Sequence, residues 1–336
     1  MTSLADEAGG EELTEIVRLR SKLAQAETRI KSAEKHVSVL QKRIDQSLQE
    51  LEDARGSKFA IPLGRKSKSA KGSFVRLIIA DSHGCFAHKP AVAALFRDLD
   101  MLNPSQVVLM GDHIDCAGWL AAHHPFRTVQ EARYSFAEDV DAANVLLDEV
   151  QKRCPDAEFY YIEGNHEERL ESKIIELVAG HATDAEYMRR LWSPQVVLNL
   201  EKRGIPYFRM TENHMSLRHK GVIELGNCYF VHGKSHATHT AAVHLRQHSG
   251  NVVFGHVHRM QNYNGSDPKK EFGAWCPGCL CELEPIWMHG KPSDWIHGYA
   301  IQLVTGTSKS DNFLHVNVPI IDGQSLLGPF VKALDV

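Results

Sequence analysis

Hydrophobic and polar positions follow two regimes along the chain. Over residues 11–55 the apolar positions Ile16, Leu23, Ile30, Val37, Ile44 and Leu51 recur every seventh residue. Leu19, Ala26, Ala33, Leu40 and Ser47 follow the first five at a spacing of three, which makes an a/d seam of five heptads. No Gly or Pro interrupts this stretch before Gly56. A helix of about 45 residues, rising about 1.5 Å per residue, is roughly 68 Å long and outruns the width of a domain. The narrow stripe and the matched charges (Glu15 with Arg20, Lys22 with Glu27, Arg29 with Glu34) predict a parallel coiled coil. Isoleucine or valine at four of the six a positions favours two strands, while Ala26 and Ala33 at d weaken the core.

From Phe74 onward the period changes. Short apolar runs at 74–80 (FVRLIIA), 106–110 (QVVLM), 158–162 (EFYYI), 228–231 (CYFV) and 251–254 (NVVF) read as buried strands. Helical spacing separates them at 128–153, 167–179 and 236–249. This alternation predicts an α/β layered domain over 74–336. Strand-like segments at 298–305 and 313–319 are expected to complete a second sheet. Residues 1–10 are acidic and polar and read as disordered. Residues 56–73 read as a flexible basic linker, punctuated by Gly, Ser and Pro. With Arg55 just before it, that linker carries Lys58, Arg65, Lys66, Lys68 and Lys71 and no acid, so it is a tether or a contact for a nucleic-acid backbone.

Composition narrows the choices only where it is unusual. Net charge is −4 over 336 residues, which gives no general pull toward nucleic acid or membrane. No apolar run is long enough to cross a bilayer, and the first residues do not read as a secretory signal. Seven irregularly placed cysteines in a chain able to bury a large core point to a reducing compartment, the cytoplasm. Histidine, with 20 residues, is the anomaly.

The histidines matter because of where they fall. Five strands end in chemistry: Asp81-Ser82-His83, Gly111-Asp112-His113-Ile114-Asp115, Gly164-Asn165-His166-Glu167, His232-Gly233 and Gly255-His256-Val257-His258. Ligands of α/β sheets bind beyond the carboxyl ends of strands. The D-x-H and H-x-H spacings put both side chains on one side of an extended segment. Asp81, His83, Asp112, Asn165, His232, His256 and His258 are therefore candidate metal ligands. If Asp112 bridges, they offer four ligands to each of two ions. The set is all oxygen and nitrogen, which suits Mn first, or Fe or Zn, as a catalytic pair. Two such ions activate a bridging water and neutralise phosphoryl oxygens.

These five segments, in this order, resemble the signature of the calcineurin-like metallophosphoesterases: D-x-H, G-D-x-x-D, G-N-H-E, a lone His after a strand, and G-H-x-H. The resemblance spans about residues 74–260. It implies a four-layer αββα sandwich with two divalent ions at its mouth. Asp81, His83, Asp112 and His258 would hold the first ion; Asp112, Asn165, His232 and His256 would hold the second. His166 would act on the leaving oxygen, and Asp115 would hydrogen-bond His166. One departure stands out: Cys116 and Ala117 occupy the place of the Arg-Gly that relatives carry after the second Asp. Serine/threonine protein phosphatase activity is thereby disfavoured, and Arg133, Arg169 and Arg259 are candidate replacements, each read first as a surface ion-pair residue.

The expected function is metal-dependent hydrolysis of a phosphate ester, as a phosphodiesterase or nuclease on nucleic acid. A phosphatase or pyrophosphatase for small phosphorylated molecules is the alternative, and a non-catalytic oligomeric scaffold is the competitor from another class. Three softer features remain. His123 and His124 lie in a possible substrate rim. His236, His239, His244 and His248 read as outer-face or rim residues. Cys276, Cys279 and Cys281 read as small buried residues of a strand rather than as a zinc site. The seam over 11–55 makes the full chain a dimer, and deletion of residues 1–55 should leave a monomer that keeps its activity. Light scattering that finds a monomeric full-length chain at tens of micromolar would contradict the coiled coil.

Overall fold

A computed structural model describes residues 72–121, 133–178, 181–285, 288–305 and 312–329, together with Lys31. The coiled-coil stretch apart from Lys31, almost all of the linker, and His123 and His124 lie outside the described residues. The described body falls within one compact unit, Ile61–Val336.

In chain order the first half runs β1 (Phe74–Ile79), α1 (Lys89–Leu102), β2 (Gln106–Leu109), α2 (Phe136–Arg153), β3 (Glu158–Ile162), α3 (Asn165–Leu177), α4 (Ala182–Leu191), α5 (Pro194–Val197), α6 (Leu200–Arg203) and β4 (Tyr207–Phe208). The second half runs β5 (Val222–Glu224), β6 (Tyr229–Val231), α7 (Thr240–His248), β7 (Val252–Phe254), β8 (Met260–Ser266), β9 (Glu271–Pro277), β10 (Gly298–Thr305), β11 (Asn312–Ile321) and β12 (Gln324–Ser325). Local chemistry sets several boundaries. Ser135 accepts from the amide of Glu138 and starts α2 eight residues later than the hydrophobic spacing alone suggests. Asn103, in the left-handed region, ends α1.

Two sheets result. The larger has the order β12-β11-β10-β1-β2-β3-β4, and the smaller β5-β6-β7-β9-β8. Strands β1, β2 and β3 are parallel neighbours, as are β6 and β7, so each set delivers its carboxyl ends to one edge. The continuous apolar runs follow from burial on both faces. Leu77, Ile79, Val107 and Leu109 face a core shared with Leu95 and Leu99 of α1 and Leu147 of α2. Their alternates Ile78, Ala80, Val108 and Met110 pack against Phe230 and Val253 of the smaller sheet. A third core sets Val252, Phe254 and Ala274 against Ala241 and Leu245 of α7. The described body is thus a mixed α/β unit of two facing sheets with helices outside both.

The tail requires a correction. β10 and β11, expected to complete the second sheet, belong to the first: β10 pairs antiparallel with β1, and β11 with β10. Alternating hydrophobicity identifies a strand and one buried face, but not which open edge accepts it. The edge of β1 was free because its sequence neighbour β2 occupies only its other side.

Candidate metal centre

The five motif segments converge where the two sheets meet. His232 follows β6 and donates from Nδ1 to the carbonyl of Met110 at the end of β2, 2.7 Å away. The amide of His256, after β7, donates to both oxygens of Asp81, after β1. Asp81, Asp112, His83, His232 and His258 are buried, and Asn165, His166 and His256 are half-buried at the mouth. Five of the seven expected ligands, Asp81, His83, Asp112, His256 and His258, have φ between 53° and 74°. Side chains other than glycine rarely accept this region, so the concentration marks strain that the surrounding structure imposes at a functional site.

The acceptor atoms face one another. His83 donates from Nδ1 to Asp115 Oδ1 at 2.6 Å, which leaves its Nε2 as a bare acceptor. That Nε2 lies 3.1 Å from Nε2 of His258, which is itself 3.2 Å from Asp81 Oδ1. On the other side, His232 Nε2 lies 3.1 Å from Asp112 Oδ2 and 3.2 Å from Asn165 Oδ1. Asn165 Oδ1 is in turn 2.6 Å from His256 Nδ1. Acceptors at such separations repel unless positive charge lies between them. Ligands of one ion at about 2.1 Å, set at 90–109°, stand about 3.0–3.4 Å apart, and most of these separations match that spacing. The residues therefore fit divalent ions. Metal-competent groupings among the described residues are His83, Asp112 and His166; Asp112, His232 and His256; and His83, His258 and Cys281. Asp112 is shared by the first two.

Electrostatics follow from this crowding. Burial alone would raise Asp81 and Asp112, but the adjacent His258 and His232 outweigh it and hold both carboxyls below the usual range. Burial works against charge on His232 and His258, yet Asp112 lifts the first to about 10 and Asp81 the second to about 9. Burial and His232 push His256 down to about 3. Burial opposes a charged His166, but Asp112 and Asp115 raise it above its ordinary value.

Asp115 faces the expected His166 and a second histidine, His83. His166 reaches it mainly through the main chain, with Nδ1 2.5 Å from the Asp115 carbonyl and 3.4 Å from its carboxylate. The short carboxylate contact goes to His83 instead. A carboxylate–imidazole pair was inferable from residue types, but two histidines compete for one acid and only the fold decides between them. Of the candidate arginines, Arg169 and Arg259 line the cavity at the site and Arg133 does not. Arg169 lies 3.0 Å from both ring nitrogens of His166, and Arg259 pairs with Asp294 at 3.3 Å. His236 reaches His256, Nε2 to Nε2, at 3.1 Å. Cys276, Cys279 and Cys281 are buried, and the Cys281 sulphur sits 3.6 Å from His258 Nδ1, on the side of the ring away from Asp81.

Two acids absent from the sequence-based site organise it. The buried Glu167 accepts from the amides of Asp112 and His113, both at 2.8 Å, from Gly164 at 3.0 Å and from the Tyr161 hydroxyl at 2.7 Å. Asp139 accepts from the amides of Asp115 and Cys116 and from Tyr134. Burial, then Asp115, raises Asp139 to about 6. The first acid had a signal, a Glu three residues after a helix-capping Gly164. The second had none, because Asp139 lies in a helix far along the chain. Glycines permit the close approach: a Cβ on Gly111 would lie 2.5 Å from the Gly164 nitrogen, and one on Gly164 would lie 2.1 Å from Asp112 Oδ1.

The chain belongs to the calcineurin-like phosphoesterase family, whose sequence profile matches residues 75–260. No curated protein matches it. Among solved structures it is similar to Vps29 from Cryptosporidium parvum, at 9% identity and a TM-score of 0.34, with 73% of this chain and 98% of that one covered. It is also similar to a single mutant of Vps29 from Entamoeba histolytica, at 13% identity and a TM-score of 0.31, covering 72% of this chain and 98% of that one. The phosphoesterase YfcE of E. coli is 12% identical, with a TM-score of 0.30 and the same 72% and 98% covered.

Metal binding at this centre should expel protons. Without metal, His232 and His258 are protonated below about 10 and about 9. A divalent ion takes only their neutral form, so affinity rises with pH until those values are passed. Calorimetry at pH 7.5 in buffers of different ionisation enthalpy should find about two protons released per chain as the sites fill, one from each histidine. Because its carboxylate orients His83, Asp115→Asn should weaken metal binding by about 10–100-fold. An unchanged affinity would place Asp115 outside the ligand support.

Proposed function

We propose that this chain is a dinuclear metal-dependent phosphoesterase. In this reading Asp81, His83, Asp112 and His258 hold one divalent ion, and Asp112, Asn165, His232 and His256 hold the other. The observation that carries it is the pair of facing acceptor groups with Asp112 common to both. Manganese suits the oxygen and nitrogen set, as do iron and zinc. Bound there, the ions supply a water of lowered pKa and neutralise phosphoryl oxygens.

The chain's own residues do the rest. His166 stands in the first turn of α3, is tied through Nδ1 to the Asp115 carbonyl, and lines the cavity. With its proton affinity raised by Asp112 and Asp115, it is the group that gives a proton to the departing oxygen. Arg169, beside it, takes the place of the missing arginine after the second Asp and positions a phosphoryl oxygen.

A phosphodiester in nucleic acid is the first substrate reading. It is supported by the basic linker and by Arg169, Arg259 and Trp295 around the mouth. The second reading, a phosphatase or pyrophosphatase for small phosphorylated molecules, is supported by a cavity of about 510 Å³, the size of a small-molecule site. A scaffold that only pairs two copies through 11–55 has no use for crowded acceptors, which counts against it. With Mn²⁺ the chain should hydrolyse bis-p-nitrophenyl phosphate and single- or double-stranded DNA. Cleavage of p-nitrophenyl phosphate alone would select the second reading, and activity surviving full chelation would defeat both.

Substitutions separate binding from chemistry. Asp112→Asn should lose metal and activity together. His166→Ala should keep metal content and slow turnover by roughly 10²–10⁴, less for p-nitrophenolate than for poor leaving groups. Loss of metal in His166→Ala would make His166 a ligand instead of an acid.

A further inference from the structure

Each of the four imidazoles read as ligands turns one nitrogen away from the metal centre, and each of those nitrogens has its own partner. For His83 it is the Asp115 carboxylate, for His232 the Met110 carbonyl, and for His256 the His236 ring. For His258 it is a sulphur: Cys281 Sγ lies 3.6 Å from His258 Nδ1. Cys281 is 1% exposed and His258 4%, so solvent does not stand in for that partner.

Several backbone hydrogen bonds fix where this sulphur stands. Residues 279–282, between β9 and β10, lie along the turn that carries Asp81 and His83. The amide of Leu280 donates to the Asp81 carbonyl at 3.1 Å, that of Glu282 to Phe86 at 2.9 Å, and that of His88 to Leu280 at 2.8 Å. On the other side, the Cys279 amide donates to the Ile296 carbonyl at 3.0 Å, and His297 Nε2 donates to the Cys281 carbonyl at 2.8 Å. The Ile296 amide donates in turn to the His258 carbonyl at 3.0 Å. Cys281 is thereby tied to the Asp81 turn and, through Ile296, to the backbone of His258 itself.

The role follows from the tautomer. A divalent ion takes the lone pair of one nitrogen of a neutral imidazole, and the proton stays on the other. His258 Nε2 lies 3.2 Å from Asp81 Oδ1 and 3.1 Å from His83 Nε2, so it is the nitrogen that faces the ion, and Nδ1 carries the proton. Sulphur is a weak acceptor, so it orients the ring with less pull on that proton than the Asp115 carboxylate exerts on His83. Trp295 confines the same ring edge to face, at 4.1 Å between centroids.

We propose that Cys281 is a positioning residue of the metal centre: its sulphur accepts the Nδ1 proton of His258 and holds that ring with Nε2 toward the first ion. This rests on the dinuclear reading in one respect, that His258 is a ligand.

The test is calorimetric titration of the chelator-stripped full chain with Mn²⁺, alongside thermal melting. The parent should take up two ions. Cys281→Val fills the space but offers no acceptor, and should weaken one of the two binding steps by about tenfold while sparing the other. Cys281→Ser keeps an acceptor and should bind both ions nearly as the parent does. Should the valine variant melt well below the parent, Cys281→Ala, which only removes atoms, takes its place in the comparison. Apolar and serine variants that bind Mn²⁺ alike would overturn the role. So would a sulphur-to-metal charge-transfer band in the near ultraviolet when Co²⁺ replaces Mn²⁺ in the parent, because Cys281 would then be a ligand. A parent that takes up no ion would defeat the dinuclear reading and this role with it, whereas a parent that binds two ions and variants that bind them equally well would defeat the role of Cys281 alone.

Discussion

The structure around the mouth depends on one electrostatic demand: ring nitrogens and side-chain oxygens from five strand ends crowd against one another. His83 and His232 each commit Nδ1 to a fixed acceptor, Asp115 and the Met110 carbonyl, so their Nε2 atoms have nothing left to donate in the neutral ring. Opposite them stand Asp81, Asp112 and the Asn165 oxygen. Only positive charge relieves this. Protons supply it on His232 and His258 in the absence of metal, and divalent ions supply it better because one ion serves several acceptors at once. Proton affinity and metal affinity are therefore two readings of a single field.

Holding that arrangement requires strain to be opposed from behind. Asp81, His83, Asp112, His256 and His258 sit in the left-handed region, where each costs of order 1–3 kcal/mol. Glu167 and Asp139 oppose it by gathering the amides of the turns that carry Asp112 and Asp115, charge-assisted hydrogen bonds in a dry interior. Their burial is costly in turn, which is why Asp139 sits near 6 and Glu167 above its ordinary range. The amide of His166, at the start of α3, donates to Asp112 Oδ1 at 2.9 Å. This ties one oxygen of that carboxylate to a helix N-terminus while the other turns to His232.

The strands and the residues after them were legible because both follow from local rules. Parallel strands covered on both faces must read as unbroken apolar runs, and ligand-bearing turns must leave them at the carboxyl end. Less was legible where the answer depends on a distant partner. The sheet that receives 298–321 depends on which edge is free. The acid at Asp115 depends on whether His83 or His166 lies nearer. Asp139 is written as an ordinary helix residue, and nothing in its neighbours announces that the amides of Asp115 and Cys116 will arrive.

A helix places a cation beside the site where the loop after Asp115 has none. In this chain the residue after the second Asp of the Gly-Asp motif is Cys116, which is buried and carries no charge to offer. Three residues beyond His166, one helical turn places Arg169 over the same face of α3. Its guanidinium meets both nitrogens of His166 and the Asp115 carbonyl at 3.2 Å while lining the cavity. A cation so close to His166 opposes the proton that Asp112 and Asp115 place there, and Arg169 indeed counts among the influences that lower it. The opposition is useful to an acid catalyst, because a donor held too tightly by its carboxylates gives up its proton slowly. Arg169 thus does two things from one position: it adds a cation to the cavity wall, and it weakens the hold of Asp112 and Asp115 on a proton of His166.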